Sequence, residues 1–503
     1  MEKIISIKNL HNFAYCNHGI CKKPVRGIVI SFMGLGNMSM FKEDPEEGKL
    51  FADLGILYLV PYQNPWGWMN DRTVALSDEL VDVLCKEYGE VPVVSTGRSM
   101  GGLSALVYTC YARRTPVASV ANCPVCDLPF HFTERPDLPR TLYSAFGAYE
   151  GTMESAMRTA SPLHLAERMP SQTEYFVFHC CEDRAVNKQK HSDRFVQEMR
   201  KHHRITYFEV PERGHCDLTD EMYNLYNACI IAAVCGKQRS DIHLHSRNSH
   251  DSEELLSNCA AAARQKNIDV IALTDHCDIQ YFLERDNRRT VAASLEEARQ
   301  TDAAFDGKPK VLRGIEIGDS LWNKDFTEEI LNAHKYDLVI GSVHAVQSER
   351  DGEPYSVIDF SKLTETEIDR YMVQYFKDVQ KTLESLPCDV MAHLTCPLRY
   401  INGKYSRNID SRRYEEYIRP ILSYIIENKI AMELNTSGAD LMPDEWIIAL
   451  YRKMGGYLVT LGSDAHVAQN VGKDMDNAVS MLKKYGFRFC CYYLNRRAVP
   501  CLI

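Results

Sequence analysis

The second half of the chain alternates short apolar runs with longer segments in which apolar residues recur at helical spacing. The apolar runs lie at 241–245, 268–273, 311–315, 337–343, 388–392, 430–432 and 457–463. Amphipathic helical segments separate several of them, at 364–386, 413–428, 443–453 and 473–483. Strands that alternate with helices favour a parallel sheet. If that sheet closes into a barrel, the C-terminal ends of all its strands lie on one rim.

Each apolar run leads into a side chain that can bind a metal ion. His243 and His245 are two residues apart, so they project from the same face of an extended strand. A lone histidine at such a place is more often a structural residue, but nine candidates at equivalent places indicate a shared site. The nine are His243, His245, Asp251, His276, Glu316, His344, His393, Asp464 and His466.

These donors are imidazoles and carboxylates without cysteine, a set that favours zinc, manganese or iron. Nine donors exceed the coordination number of one ion, so the pattern predicts two or three ions. A centre with several ions is typical of enzymes that hydrolyse phosphate esters. The sequence therefore predicts hydrolytic phosphate chemistry at the rim of a barrel.

In the first half, apolar runs at 27–33, 56–60 and 92–96 predict strands. The third run leads into Gly97-Arg98-Ser99-Met100-Gly101, and a helical segment follows at 103–108. A G-x-S-x-G sequence between a strand and a helix is typical of a sharp turn that exposes a nucleophilic serine. Later strands deliver Asp183 and then His215, with Glu182 as an alternative acid. Serine, acid and histidine in this order indicate an α/β-hydrolase triad.

Two other features of the first half have open interpretations. The aromatic loop at 61–68 either lines a pocket or packs over the sheet. Cys123-Pro124-Val125-Cys126 is an isolated CxxC pair, which is a weak metal or redox signal without a second pair. The adjacent pairs Cys180-Cys181 and Cys490-Cys491 are interpreted as small apolar core residues.

Length and charge restrict the remaining possibilities. A chain of 503 residues suits two α/β domains, at 1–236 and 240–503, joined by a short linker. The net charge of −10 and the absence of a long basic run argue against a nucleic-acid partner. No apolar run is long enough to cross a membrane, and we expect the chain to have no signal peptide. We expect the 18 cysteines to be reduced thiols of a cytoplasmic protein.

The first half, at 10–236, resembles α/β-hydrolases of the esterase and prolyl-oligopeptidase-like kind. The resemblance is carried by the serine turn, by Phe178-His179-Cys180-Cys181-Glu182-Asp183-Arg184-Ala185-Val186 and by Gly214-His215. It implies that Ser99 is the nucleophile, Asp183 the acid and His215 the base. It also implies an oxyanion hole formed by the Met100 amide and an amide of the Gly34-Leu35 turn. Hydrolysis of an acyl ester is the expected activity, peptide cleavage the second, and a docking role without catalysis stays open.

The second half, from Ser240 onward, resembles the histidinol-phosphatase family of the PHP superfamily. Seven motifs occur in the family's order: Asp241-Ile242-His243-Leu244-His245-Ser246, Leu273-Thr274-Asp275-His276, Gly314-Ile315-Glu316-Ile317-Gly318, Gly341-Ser342-Val343-His344, Ala392-His393-Leu394, Glu433-Leu434-Asn435-Thr436-Ser437-Gly438 and Leu461-Gly462-Ser463-Asp464-Ala465-His466. The resemblance implies a distorted (β/α)7 barrel with a site for three divalent ions.

The resemblance also distributes the donors among the ions. The implied groups are His243, His245, Glu316 and Asp464 for the first ion; Glu316, His344 and His393 for the second; and Asp251, His276 and His466 for the third. His250 is an alternative to Asp251 as a ligand. Arg399 matches a position that binds phosphate in the family, where its planar guanidinium would suit two oxygens.

One residue departs from the family pattern. Asp440 lies where the family commonly has an arginine, and a negative charge there opposes a phosphate or binds the amine of the substrate. The expected activity is hydrolysis of L-histidinol phosphate to L-histidinol and phosphate in histidine biosynthesis. The alternatives are a phosphatase for another small phosphomonoester, and a chain in which one half is a docking or regulatory module for the other.

Overall fold

The protein is described by a computed structural model that covers residues 4–37 and 40–503. The chain forms two compact units, Met1–Gly236 and Lys237–Ile503. In the described part of the chain, no helix has the length and apolar character needed to cross a membrane. No disulfide bond joins the cysteines of the described residues.

The first unit is built on one seven-stranded sheet with the strand order β1-β3-β2-β4-β5-β6-β7. β1 pairs with β3 in antiparallel orientation, and the other neighbours are parallel. Helices cover both faces, so the inner strands read as continuous apolar runs. The strands are β1 (Ala14–Cys16), β2 (Gly27–Phe32), β3 (Ile56–Pro61), β4 (Val93–Arg98), β5 (Ala118–Asn122), β6 (Glu174–Cys180) and β7 (Ile205–Val210).

The helices of the first unit connect the parallel strands and form an insertion between β5 and β6. Asn70 accepts a hydrogen bond from the Thr73 amide at 3.1 Å and so begins α2. The insertion contains α4 to α7. The helices are α1 (Glu46–Asp53), α2 (Asp71–Tyr88), α3 (Met100–Tyr111), α4 (Leu128–Glu134), α5 (Leu138–Phe146), α6 (Met153–Thr159), α7 (Pro162–Leu165), α8 (Arg194–Met199) and α9 (Asp220–Cys235).

The second unit is a barrel of seven parallel strands in the order β15-β14-β13-β12-β11-β9-β8. A parallel bridge between Leu244 and Ala465 joins the two ends of this path, which closes the barrel. β10 pairs with β11 outside the path, and this distorts the barrel. The strands are β8 (Ser240–Leu244), β9 (Val270–Leu273), β10 (His276–Asp278), β11 (Lys310–Gly318), β12 (Leu338–Ser342), β13 (Val390–Met391), β14 (Ala431–Asn435), β15 (Val459–Gly462), β16 (Phe489–Leu494) and β17 (Arg497–Leu502).

Helices follow most strands of the barrel. Thr364 and Glu367 form a capping box at the start of α13, which satisfies amides that would otherwise lack a partner. The helices are α10 (Leu256–Gln265), α11 (Asn287–Ala304), α12 (Lys324–Ala333), α13 (Glu365–Ser385), α14 (Cys396–Leu398), α15 (Glu415–Glu427), α16 (Glu445–Lys453) and α17 (Met475–Lys484). The predicted fold class, a hydrolase sheet followed by a distorted (β/α)7 barrel, is confirmed.

One element of the fold was not predicted, and one expectation needs correction. The C-terminal hairpin of β16 and β17 was not predicted, because all of β16 is buried and its turn uses Asn495 and Arg496 at φ 50° and 64° in place of the usual Asn-Gly. Cys180, Cys490 and Cys491 are buried as expected, but Cys181 is exposed. β6 ends at Cys180, so the chain turns outward at the next residue.

Candidate active sites

Glu316 lies at the centre of the polar cluster inside the barrel rim. Its Oε2 is 2.9 Å from His276 Nδ1 and 3.2 Å from His243 Nε2. Its Oε1 is 3.1 Å from His393 Nε2 and 3.2 Å from His344 Nε2. The side chain is completely buried. Four strand ends and β10 therefore place four imidazoles around one carboxylate.

Two further carboxylates extend the cluster. Asp464, at φ 52°, places Oδ1 3.2 Å from His245 Nε2 and 3.7 Å from His466 Nδ1. Asp251 places Oδ2 3.1 Å from His466 Nε2 and 3.5 Å from His276 Nε2. All nine side chains that the sequence proposes as ligands are therefore adjacent to one another in the barrel.

One geometric group of donors lies within the set that the resemblance implies for the first ion, and another joins His245 to two donors of the third. His245, His276 and His466 have donor atoms within 4.8 Å of one another, and so do His243, His245 and Asp464. The His245 ring stacks on His276 and His466, with centroids 4.3 and 4.2 Å apart. His245 thus belongs to two groups, and the implied division into a first and a third ion remains a prediction.

His250 lies at the edge of the cluster. Its Nδ1 accepts a hydrogen bond from Arg285 Nη1 at 3.1 Å, and its Nε2 is 3.9 Å from Asp251 Oδ2. Asp251 is closer to two other histidines of the cluster, as described above. The contacts favour Asp251 over His250 as the ligand.

The buried nitrogens of the cluster show whether a cation would fit. His245 Nε2 and His276 Nδ1 are buried and have no hydrogen-bond partner, although carboxylate oxygens lie close to both. An unsatisfied buried polar atom costs about 1 to 3 kcal/mol. A cation between these nitrogens and the carboxylates would satisfy both, so the donor set fits divalent metal ions.

Charge inside the barrel shifts the titration of several groups. Burial raises the pKa of Glu316, but His276 and His243 outweigh it and hold the pKa well below its usual range. Burial lowers the pKa of His243, but Glu433 and Glu316 outweigh it and raise the pKa well above its usual value. His243 and Glu316 therefore stabilise each other's charged forms, whereas burial and the charges of His276 and His466 lower the pKa of His245 to about 3. A divalent cation would take the place of these protons.

In the first unit, Ser99 lies between β4 and α3 at φ 57° and ψ −122°. Non-glycine residues seldom adopt a positive φ, and such strain is common at active sites. The turn is tight: a Cβ added at Gly101 would lie 2.0 Å from the carbonyl oxygen of Phe32. Gly101, the second glycine of the G-x-S-x-G sequence, is therefore required, because a side chain there would collide with β2.

His215 and Asp183 form a hydrogen-bonded pair near the ends of β6 and β7, in which the Asp183 side chain is buried and His215 is partly exposed. The Nδ1 of His215 is 2.7 Å from Asp183 Oδ2, and Asp183 Oδ1 accepts hydrogen bonds from the Ala185 and Val186 amides at 2.8 and 2.9 Å. Burial raises the pKa of Asp183, but hydrogen bonds with His179 and His215 outweigh it and lower the pKa. The alternative acid, Glu182, is exposed.

The third link of the triad is not made in this structure. Within residues 4–37 and 40–503, no hydrogen bond joins Ser99 Oγ to His215, whose Nε2 lies 3.6 Å from Cys216 Sγ. Gly34 is adjacent to the serine, since a Cβ added there would lie 4.0 Å from Ser99 Cβ. Met100 is the first residue of α3. The triad and the oxyanion hole of Met100 and Gly34 remain predictions.

The aromatic loop of the first unit has both of its expected roles. Trp68 is completely buried, and its Nε1 donates a hydrogen bond to Thr141 Oγ1 at 3.0 Å. Tyr62 and Trp66 line a cavity of about 490 Å³ together with residues of α2 and of the insertion, including Tyr149. One tryptophan therefore packs in the core while the other faces open space.

Residues 241–437 match the family model of the PHP domain. The second unit carries a PHP domain. The histidinol-phosphatase of Lactococcus lactis is 29% identical over 257 residues, which are 50% of this chain and 92% of that protein. The predicted resemblance of this half is confirmed.

Two solved structures are similar to parts of this chain. A crystal structure of histidinol phosphate phosphatase from Lactococcus lactis, complexed with zinc, L-histidinol and phosphate, has a TM-score of 0.41 and 25% identity and covers 52% of this chain and 98% of that one. A puromycin-hydrolyzing peptidase of Mycobacterium tuberculosis has a TM-score of 0.33 and 17% identity and covers 39% of this chain and 31% of that one.

Three acidic residues outside the nine candidate ligands support the PHP centre. The sequence indicates Glu433 only as the residue that follows the apolar run at 430–432, and it does not indicate Asp278 or Asp319. Glu433 places Oε1 2.6 Å from His243 Nδ1. Asp278 lies 2.8 Å from His344 Nδ1, and Asp319 accepts a hydrogen bond from the His344 amide at 2.8 Å. Asp278 is two residues after His276, a spacing that puts both on one side of a strand and could have revealed it. Nothing in the sequence marks Asp319.

Glu433 also explains a glycine of the PHP motifs. A Cβ added at Gly462 would lie 2.2 Å from Glu433 Oε1 and 2.6 Å from His243 Cβ. Glu433 Oε2 accepts a hydrogen bond from the His393 amide at 2.8 Å. The glycine leaves room for a carboxylate that orients two histidines.

Arg399 is linked to the PHP centre through two polar side chains. Its Nη1 donates to Ser437 Oγ, which donates to Asn435 Oδ1 at 2.7 Å, and Asn435 Nδ2 donates to Asp464 Oδ2 at 3.4 Å. Arg399 is half-buried and forms no ion pair with any described residue. Asp440 is exposed. An unpaired guanidinium beside the centre suits an anionic ligand.

Proposed function

We propose that the PHP unit is a metal-dependent phosphomonoesterase that hydrolyses L-histidinol phosphate to L-histidinol and phosphate in histidine biosynthesis. The observation that carries the proposal is the meeting of nine imidazole and carboxylate side chains, with Glu316 at their centre. The PHP family match and the histidinol-phosphatase relatives support the same activity.

Divalent ions, three by the implied assignment, would be held by the nine donors in this proposal. Zinc, manganese and iron suit imidazole and carboxylate ligands. When bound, such ions lower the pKa of a water molecule and balance the charge of a phosphate. Glu433 and Asp278 would keep His243 and His344 in the orientation that ligation needs.

The chain's own residues have two further roles in this proposal. The Arg399 guanidinium binds two phosphate oxygens, and the hydrogen bond to Ser437 fixes its direction. Asp440 binds the amine of the substrate at the exposed rim. The second candidate is a phosphatase for another small phosphomonoester, which Asp440 favours because the family commonly has a cation at that position.

Phosphate release by the full-length protein distinguishes these two candidates. Purified protein is assayed with manganese or zinc on L-histidinol phosphate and on a panel of other phosphomonoesters. The proposal expects L-histidinol phosphate to be cleaved fastest and His243→Ala to abolish release. His250→Ala is the matched control, because His250 lies at the edge of the cluster. Faster cleavage of another phosphomonoester would assign the unit to that substrate instead.

We also propose that the first unit is a serine hydrolase of acyl esters, with peptides as the second substrate class. The strained Ser99 turn and the Asp183–His215 hydrogen bond support it. We place both activities in the cytoplasm. A fluorophosphonate probe should label the unchanged protein and leave Ser99→Ala unlabelled. A folded protein that is not labelled would support a docking role for this unit.

A further inference from the structure

Three cysteines lie close together next to His215 in the first unit. Cys123 follows β5, Cys180 ends β6, and Cys216 follows the histidine. The backbone amides of Cys180 and Cys216 both donate to Cys123 Sγ, each at 3.4 Å. Two amides therefore point at one sulfur, as they do at the sulfurs of metal-bound cysteines. The hydrogen bond with Cys180 lowers the pKa of the Cys123 thiol, but the hydrogen bond with Cys216 and burial outweigh it and raise the pKa, so a bound cation would displace the thiol proton.

The spacing of the donor atoms agrees with a tetrahedral metal site. Cys123 Sγ, His215 Nε2 and Cys216 Sγ all lie within 4.8 Å of one another, and the last two are 3.6 Å apart. Bond lengths of about 2.3 Å to sulfur and 2.0 Å to nitrogen give an edge of about 3.6 Å between the two ligands of a tetrahedral zinc ion. One edge of the tetrahedron is therefore already formed.

The hydrogen bond of His215 leaves the required nitrogen available. Asp183 Oδ2 accepts a hydrogen bond from His215 Nδ1, so in the neutral imidazole Nδ1 carries the proton and Nε2 has the lone pair. Histidines that bind metals almost always donate the other N–H to a carboxylate or carbonyl oxygen. The same arrangement serves a catalytic base, so ligation and base catalysis compete for Nε2.

We propose that Cys123, His215 and Cys216 form a site for one thiophilic divalent cation, such as zinc, with the fourth position open to solvent. The bound ion occupies His215 Nε2 and thereby switches off the serine site. The second statement depends on the proposed serine hydrolase, whereas the binding site itself does not. Cys123 is completely buried, but His215 and Cys216 are partly exposed and give the ion a route from solvent.

A second group of possible ligands in this unit does not support a metal site. Glu134 Oε2 contacts His131 Nδ1 and lies 2.8 Å from His191 Nε2. However, His191 Nδ1 accepts hydrogen bonds from the Cys126 and Asp127 amides, both at 3.1 Å. The proton of a neutral His191 is therefore on Nε2 and points at Glu134, which leaves no lone pair for a cation. The hydrogen bond between Glu134 and His191 instead links α4 to the segment that contains His191.

Cobalt titration of the full-length reduced protein tests the binding site. A thiolate ligand gives cobalt(II) an intense sulfur-to-metal charge-transfer band, whereas the nine donors of the PHP centre include no sulfur. We expect the band to saturate when one cobalt ion per chain is bound in addition to the ions that fill the PHP centre, and we expect zinc to remove the band. Cys216→Ser and Cys123→Ser should each lose the band, while Cys181→Ser, the exposed neighbour of Cys180, should keep it. No band, or a band unchanged in Cys216→Ser, would overturn the site.

Probe labelling tests the competition for His215. At a zinc concentration about ten times the dissociation constant, about one tenth of the sites remain free, so labelling of Ser99 should slow about ten-fold. A chelator should restore the rate, and Cys216→Ser, compared with and without zinc, should resist inhibition. Labelling unchanged at a zinc-filled site would overturn the inhibitory role. A protein that is never labelled would contradict the serine hydrolase, while the cobalt band would still decide the metal site.

Discussion

The two candidate active sites differ in how the chain builds them. The PHP centre draws its donors from strand ends around a closed barrel, and four of its nine side chains, His243, His245, Glu316 and His393, are buried. The serine site depends on three separate turns, and the bond between Ser99 and His215 is not made. Strand ends are fixed by the sheet, whereas the relative position of turns depends on further contacts. We therefore expect metal binding at the PHP centre to be most sensitive to the loss of a charge. We expect reactivity of the serine site to be most sensitive to the orientation of its side chains.

The largest effect is expected from a change that disturbs orientation alone. Asp183→Asn keeps the size of the side chain but removes the charge that fixes the proton on His215 Nδ1. The rate of probe labelling should fall by about 10,000-fold, as in other triads that lose this carboxylate. Glu182→Gln is the control and should label normally. A normal rate in Asp183→Asn would show that this pair does not serve Ser99.

The next effect is expected from a loss of charge at the PHP centre. Glu316→Gln removes the negative charge that contacts four histidines. Loss of a partner that only orients a metal ligand typically lowers metal affinity by about 10- to 100-fold, so loss of a proposed ligand that contacts four histidines should lower it by roughly 100-fold or more. Elemental analysis and phosphate release should both show the loss. A variant that keeps its metals and its rate would contradict the central role of Glu316.

An effect of intermediate size is expected on the stability of the first unit, and it should depend on pH. The group responsible is Glu134 in the insertion. Burial raises the pKa of Glu134, but hydrogen bonds with His131 and His191 outweigh it and lower the pKa from 4.5 to about 2. The unfolded chain therefore takes up this proton first as the pH falls. The resulting stabilisation, at most about 3 kcal/mol, is complete above pH 4.5 and is lost towards pH 2.

Calorimetry of the full-length protein measures this contribution. Glu134→Gln should lower the stability of the first unit at pH 6 and weaken its dependence on pH below 4.5. Glu90→Gln, which changes an exposed carboxylate on the same unit, is the control. If the stability of both variants depends on pH as that of the unchanged protein does, Glu134 does not stabilise the contact between the insertion and the 187–191 segment.

The smallest effect is expected from residues that orient the metal ligands. Glu433→Gln weakens the contact with His243 Nδ1 without removing a proposed ligand. Losing such a partner typically lowers metal affinity or activity by about 10- to 100-fold. Phosphate release across a range of metal concentrations should show a weaker but recoverable enzyme. An effect as large as that of Glu316→Gln would make Glu433 a ligand itself.

Local patterns were sufficient to predict much of this protein. The apolar runs predicted the parallel strands, and the residues after them predicted which side chains meet at the rim. The G-x-S-x-G turn predicted the position of Ser99 for the same reason, since its glycines and its flanking strand and helix are adjacent in sequence. The C-terminal hairpin was missed because its turn has no glycine and its strand has no alternation.

The sequence by itself determined the two α/β folds and the nine donors of the PHP centre, because parallel strands bring their ends together whatever the loops do. Only the tertiary structure decided that Asp278, Asp319 and Glu433 support those donors, and that Cys123 lies beside Cys216. Cys123 and Cys216 are far apart in sequence, and both have a positive φ, 44° and 58°. Their contact depends on how two loops turn after separate strands, and no local pattern of residues specifies that.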